Sequence, residues 1–248
     1  MRKKRLPRRA LAAVTAGLLL TVAAPALAQT RPETPPPASP GPSPAPPRPS
    51  APDDAAAHGA PDAPAAHGLR AFQRRYGLAP TGRVDSATAH LLRAAPDSVL
   101  RAAFTSPSDL GPEQLAHART VIGVGKGAGL PEQGQVIALM TAMQESTFVN
   151  HTTPVDNDSL GVFQQRPSMG WGTPEEITHV PTASRSFYGL PSPSSNAGLL
   201  QIDGWESMDP GRACQAVQRS AHPDRYARWE EFARELLEQE GPDADPIP

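Results

Sequence analysis

Apolar residues along this chain recur three and four positions apart over much of its second half, and they do so in blocks opened by helix-start signals. Leu115, Ala118, Val121 and Ile122 share one face of a helix, as do Val136, Leu139, Met140 and Met143, and later Tyr226, Trp229, Ala233 and Leu236. The expected starts are Ser108 or Asp109 ahead of Pro112-Glu113, Leu130 ahead of Pro131-Glu132, Thr173 ahead of Pro174-Glu175-Glu176, and Asp209 ahead of Pro210. Proline fits the first helical position, where no N–H is needed, and acidic side chains favour the positive pole of the first turn. No long alternation of apolar and polar residues marks a strand, so the pattern predicts a mainly α domain over residues 108–240. A second patch of helical periodicity lies earlier. Leu69, Phe72 and Tyr76 predict a helix ended by Gly77, and Asp85 is placed to cap another whose apolar face includes Ala89 and Leu92. Residues 65–95 therefore read as a helical hairpin.

Outside these blocks the composition changes. Six basic residues between Arg2 and Arg9, an apolar run from Ala10 to Ala24 and the small-residue site Ala26-Leu27-Ala28 predict a secretory signal peptide over 1–28, leaving no stable membrane anchor once cleaved. Residues 29–64 hold 13 of the 31 prolines and predict a disordered, extended spacer. Residues 241–248 read as a disordered tail. Without the first 28 residues the chain has 17 Lys plus Arg against 25 Asp plus Glu, an acidic balance that argues against nucleic acid as a partner. Cys214 stands alone, which excludes an intrachain disulfide and predicts a small buried side chain. The seven histidines show no ligand spacing, so neither a metal nor a cofactor is expected. The glycine-rich run Gly123 to Gly129 lacks the order of a phosphate-binding loop and reads as a flexible connection between helices. Nothing in the pattern calls for more than a monomer.

The candidate chemistry sits where the second helix of the main block ends. Glu145 closes the run Met140-Thr-Ala-Met-Gln-Glu-Ser, and a polar loop leads to Asp158-Ser-Leu-Gly161-Val-Phe-Gln164-Gln. A carboxylate at a helix C-terminus feels the negative pole of the dipole, and partial burial also disfavours its charge; both raise its pKa. A carboxyl protonated near neutral pH is what cleavage of a glycosidic bond requires, because the leaving oxygen must gain a proton as the bond breaks. An exposed surface glutamate is the alternative. Asp156 and Asp158 offer a second carboxylate that activates water or stabilises positive charge, or they belong to a plain solvent loop. Trp171 and Tyr188 are suited either to stacking on sugar or to the core. His151 has the chemistry of an acid or base but nothing to position it, and Gly198-Leu-Leu-Gln201 reads as a decoy of the first Gly-x-x-Gln turn.

Two resemblances attach to these residues. Phe72-Gln73, Gly77-Leu78, Gly82, Asp85 and Thr88 resemble the second half of the three-helix peptidoglycan-binding domain, with the spacer standing where that family has its first helix; a remnant this small is expected to pack against the following domain rather than fold alone. Gln144-Glu145-Ser146 followed by Ser159-Leu-Gly161-Val-Phe-Gln164 resembles the paired signature of the lysozyme-like superfamily, notably lytic transglycosylases and goose-type lysozymes. The wider pattern, through Gly170-Trp-Gly-Thr-Pro174, Ala216 to Ser220 and Tyr226-Ala-Arg-Trp229, is similar to secreted actinobacterial transglycosylase-like domains. The resemblance implies a lysozyme-like helical domain acting on peptidoglycan glycan strands outside the cell, with Glu145 as general acid and then base. It implies Ser159 and Gln164 as substrate contacts, with Gly161 allowing close backbone approach; from their own chemistry, Tyr188 is a further candidate contact, and Asp158 or Asp156 the second catalytic carboxylate if water is the acceptor. A wall-binding module without catalysis, and a helper for a partner wall enzyme, remain the alternatives.

Overall fold

The computed structural model describes residues 66–154 and 157–248, all of which lie in one unit, Ala57–Pro248. The expectations for residues 1–65, the signal peptide and the whole spacer among them, and for Asp156 lie outside the described residues. Among the described residues nine α-helices follow one another: α1 (His67–Arg75), α2 (Ser86–Ala94), α3 (Asp97–Ala103), α4 (Pro112–Gly127), α5 (Glu132–Ser146), α6 (Pro174–Thr178), α7 (Val180–Tyr188), α8 (Pro210–Gln218) and α9 (Glu230–Glu240). Among the described residues the only β pairing is an isolated antiparallel bridge between Leu160 and Gln165, so the fold is mainly α as the periodicity predicts.

Helix α5 is the axis of the molecule. It packs against α4, α7, α8 and α9, and every residue from Gly134 to Met143 is buried. A single apolar stripe was the expectation; instead the helix is enclosed on all sides, because Gly134, Ala138 and Ala142 let neighbours approach where the pattern has no large side chain. Thr141, buried on the same helix, donates its hydroxyl back to the Ile137 carbonyl at 2.8 Å, which removes the cost of burying it.

Several start signals act as read. Asp85 accepts from the Thr88 N–H at 2.7 Å, Asp209 from Arg212 at 3.0 Å, and Thr173 and Glu176 form a reciprocal capping box on α6. Asp109 is a correction. Gly111 precedes α4, and its N–H is capped by Gln114 at 2.8 Å. The Asp109 carboxylate instead gathers the N–H groups of Gly68, Thr105 and Ser106, tying the start of α1 to the loop before α4.

That tie belongs to a larger correction. The hairpin does not stop at residue 95: α3 continues it and packs back on α1. Leu69, Phe72, Leu92, Leu100 and Phe104 join the same buried cluster as Ile122, Met140 and Leu236. The segment and the main helical block thus share one core.

The C-terminal segment differs from expectation as well. Ala244 is buried, the Ile247 N–H donates to the Gly123 carbonyl at 2.8 Å, and Lys126 Nζ reaches the Gly241 and Ala244 carbonyls. The glycine-rich run is no flexible connection but the last turns of α4. A Cβ on Gly123 would sit 2.5 Å from the Asp245 carbonyl oxygen, and one on Gly127 2.0 Å from that of Ile247. The glycines form a bare strip on which the terminal backbone lies.

Candidate functional site

Glu145 occupies the last turn of α5, and the way the helix ends decides where it points. Thr147 and Phe148 both take left-handed backbone conformations, φ 52° and 59°. The Thr147 N–H returns to Met143 and that of Phe148 to Ala142, the two bonds of a Schellman stop, made here without the usual glycine. A β-branched residue in that region carries strain. It is held there from α4, where Gln114 Nε2 donates to the Thr147 carbonyl at 2.6 Å and His117 Nδ1 lies 2.8 Å from the Phe148 carbonyl.

Ser146 then joins the helix end to the turn that follows. Its hydroxyl donates to the Val162 carbonyl at 2.7 Å, inside the tight loop closed by Leu160 and Gln165. Gly161 has φ 73°, and a Cβ there would stand 2.5 Å from the Ile177 carbonyl oxygen. Its left-handed backbone and its packing against α6 both require glycine. Gln164, at φ 50°, donates Nε2 to the Gly161 carbonyl at 2.9 Å, so its amide is oriented by the turn itself.

Glu145, Ser159 and Gln164 come together. They line two cavities that share them and Ser220, one of about 330 Å³ bounded by α2, α3, Gln144, His222 and Arg225, the other of about 420 Å³ running toward Arg166, Met169, Trp171 and Asn196. The two form the halves of a groove with Glu145 at its waist. Among the described residues six non-glycines have positive φ, and Thr147, Asn157, Gln164 and Arg219 line this groove. Backbone strain of this kind concentrates where surrounding structure fixes a functional geometry.

Burial pushes the Glu145 carboxyl up to about 7, and the hydrogen bond from Tyr226 pulls in the opposite direction. That phenol donates to Oε1 at 2.5 Å, and Ser220 in turn hydrogen-bonds the tyrosine. Burial, then the neighbouring Glu145, raises the Tyr226 pKa, so the hydroxyl stays protonated and acts only as donor toward the acid. With Oε1 accepting, the acidic proton belongs on Oε2. The neighbouring Gln144 is fixed by Trp229, whose indole N–H donates to its side-chain oxygen at 2.9 Å.

The remaining candidates separate from this group. Asp158 is not a lining residue of either half. Arg166 Nε donates to it at 2.6 Å, and Ser168 contributes its N–H and hydroxyl, a set that holds the carboxyl well below the usual range. Its carboxylate anchors the loop, which corrects the expectation of a second catalytic group. Tyr188 is also corrected: it is fully buried, its hydroxyl donates to the Val121 carbonyl, and it packs edge-on against Phe187. Gln201 bonds Gly198 and Gly189, as suits a structural turn. His151 is buried away from Glu145, its Nε2 unpartnered, and desolvation followed by the Arg93 charge depresses its pKa to about 4. Cys214 lies in the core, its thiol pushed up to about 12 by burial. Among the described residues no three His, Cys, Asp or Glu side chains gather to hold a metal ion.

Sequence reasoning placed Tyr226 on a regular helical stripe and gave it no part in the site. It stands between two 3-10 turns ahead of α9, 81 positions from its partner. Its place in the resembling pattern was the one available signal.

Comparison with known proteins yields one family. Residues 53–92 match the peptidoglycan binding domain family, a stretch that covers α1 and most of α2 and begins inside the segment read as spacer. That match supports a peptidoglycan-binding module in this stretch and a role related to the cell wall. No curated protein matches the chain.

Proposed function

We propose that this protein cleaves the glycan backbone of peptidoglycan, with Glu145 as the single general acid and base. The observation that carries the reading is the buried carboxyl at the groove's waist, poised near neutral pH and oriented by Tyr226. The protonated Oε2 donates to the bridging glycosidic oxygen as its bond to the anomeric carbon breaks. The N-acetyl carbonyl oxygen of the same sugar closes onto that carbon and carries the positive charge. The sugar's 6-hydroxyl then displaces it, giving its proton to the Glu145 carboxylate and leaving an anhydro ring. This route needs one carboxyl group: Asp97, which also lines the groove, is paired with Arg225 and Arg228, and Asp158 outside it is tied to Arg166 and Ser168, which leaves Glu145 for the chemistry. The lysozyme-like resemblance of Gln144 to Gln164 supports the same assignment, with Ser159 and Gln164 as sugar contacts. A muramidase outcome by direct displacement at the anomeric carbon requires a second carboxylate and is less well served.

The matched module supports a location at the wall outside the cell, and among the described residues no helix is long and apolar enough to cross a membrane. The match also motivates a second reading, a pure wall binder. Glu145→Gln separates the two. On purified peptidoglycan the variant should fold and bind the wall but release no fragments; release at the parent rate contradicts the enzymatic reading, and absence of release from the parent favours the binder.

A further inference from the structure

The module does more here than attach to a scaffold. Leu92 and Arg93 at the end of α2, and Ala95, Asp97 and Leu100 around α3, line the same cavity as Glu145, Ser159 and Gln164. The matched segment and its continuation thus supply one wall of the groove. Asp97 fixes that wall in place: its Oδ2 pairs with Arg225 Nε and with Arg228 Nη1, each at 3.0 Å, so α3 is clamped to the segment leading into α9. One carboxylate is shared by two guanidinium groups. Arg225 keeps 40% of its side chain exposed and has N–H donors beyond the one given to Asp97.

The two ends of the groove differ in chemistry. Toward Trp171, Met169 and Asn196 it offers an aromatic face, a thioether and an amide, which suit neutral sugar rings. Toward the module it offers His222, Arg225, whose Nε is given to Asp97, and Arg93, whose Nη1 donates to the Thr153 carbonyl at 3.4 Å. Neutral glycan hydroxyls have no need of guanidinium groups. The carboxylates of a substrate that bears peptides do, because a guanidinium matches a carboxylate in both charge and fork geometry.

We infer that the module-side wall is a subsite for the carboxylates of the peptide stems on the glycan, with Arg225 as the main contact and Arg93 beside it. Resting on the proposed function, this makes the protein selective for glycan that still carries its stems. The test uses the full chain with Glu145→Gln, so that binding is read without turnover. Affinity is measured for soluble glycan strands with stems intact and for the same strands stripped of stems by an amidase.

Stem-bearing strands should bind about tenfold more tightly, the worth of one charge-assisted hydrogen-bonded contact. Arg225→Gln and Arg93→Gln should each shrink that preference, and Arg225→Lys should restore part of it. Thermal melts confirm that each variant is folded. If Arg225→Gln is not, Arg93→Gln carries the test. Equal affinity for both strands, or a preference unmoved by the arginine substitutions, overturns the inference. Cleavage of stripped strands by the parent then leaves the proposed function standing. No binding to either strand, with no cleavage by the parent, overturns both.

Discussion

At the scale of single residues, two buried titratable groups pull stability in opposite directions. Glu145 has a folded pKa near 7 against 4.5 in the unfolded chain. The unfolded state therefore loses its proton first, and stability falls as pH rises from about 4.5 to 7, by roughly 3 kcal/mol once complete. His151 is the reverse case. Its pKa of about 4 against 6.5 means the unfolded chain gains the proton first, so stability is lost as pH falls from 6.5 toward 4. Glu145→Gln removes only the first effect. Urea unfolding of that variant should show stability equal to the parent near pH 4 and higher by about 2–3 kcal/mol at pH 7; an unchanged difference across that range contradicts the assigned burial. Tyr226→Phe removes the hydrogen bond that favours the charged form. Carbon NMR of the Glu145 carboxyl should then report a pKa above that of the parent, while a lower value would mean the tyrosine is not its donor.

Among the elements, α5 and the turn after Ser159 were legible because their signals are local. A helix rich in apolar residues, a carboxylate at its end and a Gly-x-x-Gln turn all lie within a few tens of positions, and Ser146 joins them through the Val162 carbonyl. Tyr188 stays open between cleft and core in the sequence for an equally physical reason. An aromatic beside a helix-ending glycine has the same local signature in a core as in a cleft, and only the position of Val121, 67 residues away, decides it. The strip on α4 was opaque too, since its partner is the far end of the chain. Gly123→Ala tests that pairing directly. In the full chain the added Cβ must displace the terminal segment, costing about 1–3 kcal/mol. In a chain ending at Gly241 the same substitution should stabilise by up to about 1 kcal/mol, through helix propensity. Equal effects in the two backgrounds would show that the terminal segment does not lie on the helix.

For the whole molecule, the shared core changes what counts as a domain. The sequence divides into a hairpin and a main helical block because composition and resemblance change between them. Phe72, Leu92 and Leu100 nevertheless pack into the cluster that holds α5, and Asp97 clamps the two parts across the groove. A chain beginning at residue 107 should consequently be damaged rather than merely untethered. Its Tm should fall on the order of 10 °C below that of a chain beginning at residue 57, given ~2–4 °C per kcal/mol for a chain of this size. An unchanged Tm would restore the picture of two independent parts. The most direct test of the central claim is mass spectrometry of the fragments that the full chain and its Glu145→Gln variant release from purified peptidoglycan. Anhydro-ended fragments from the parent and none from the folded variant are the predicted result; reducing ends would contradict the anhydro route, and equal release from both would contradict Glu145 as the acid and base.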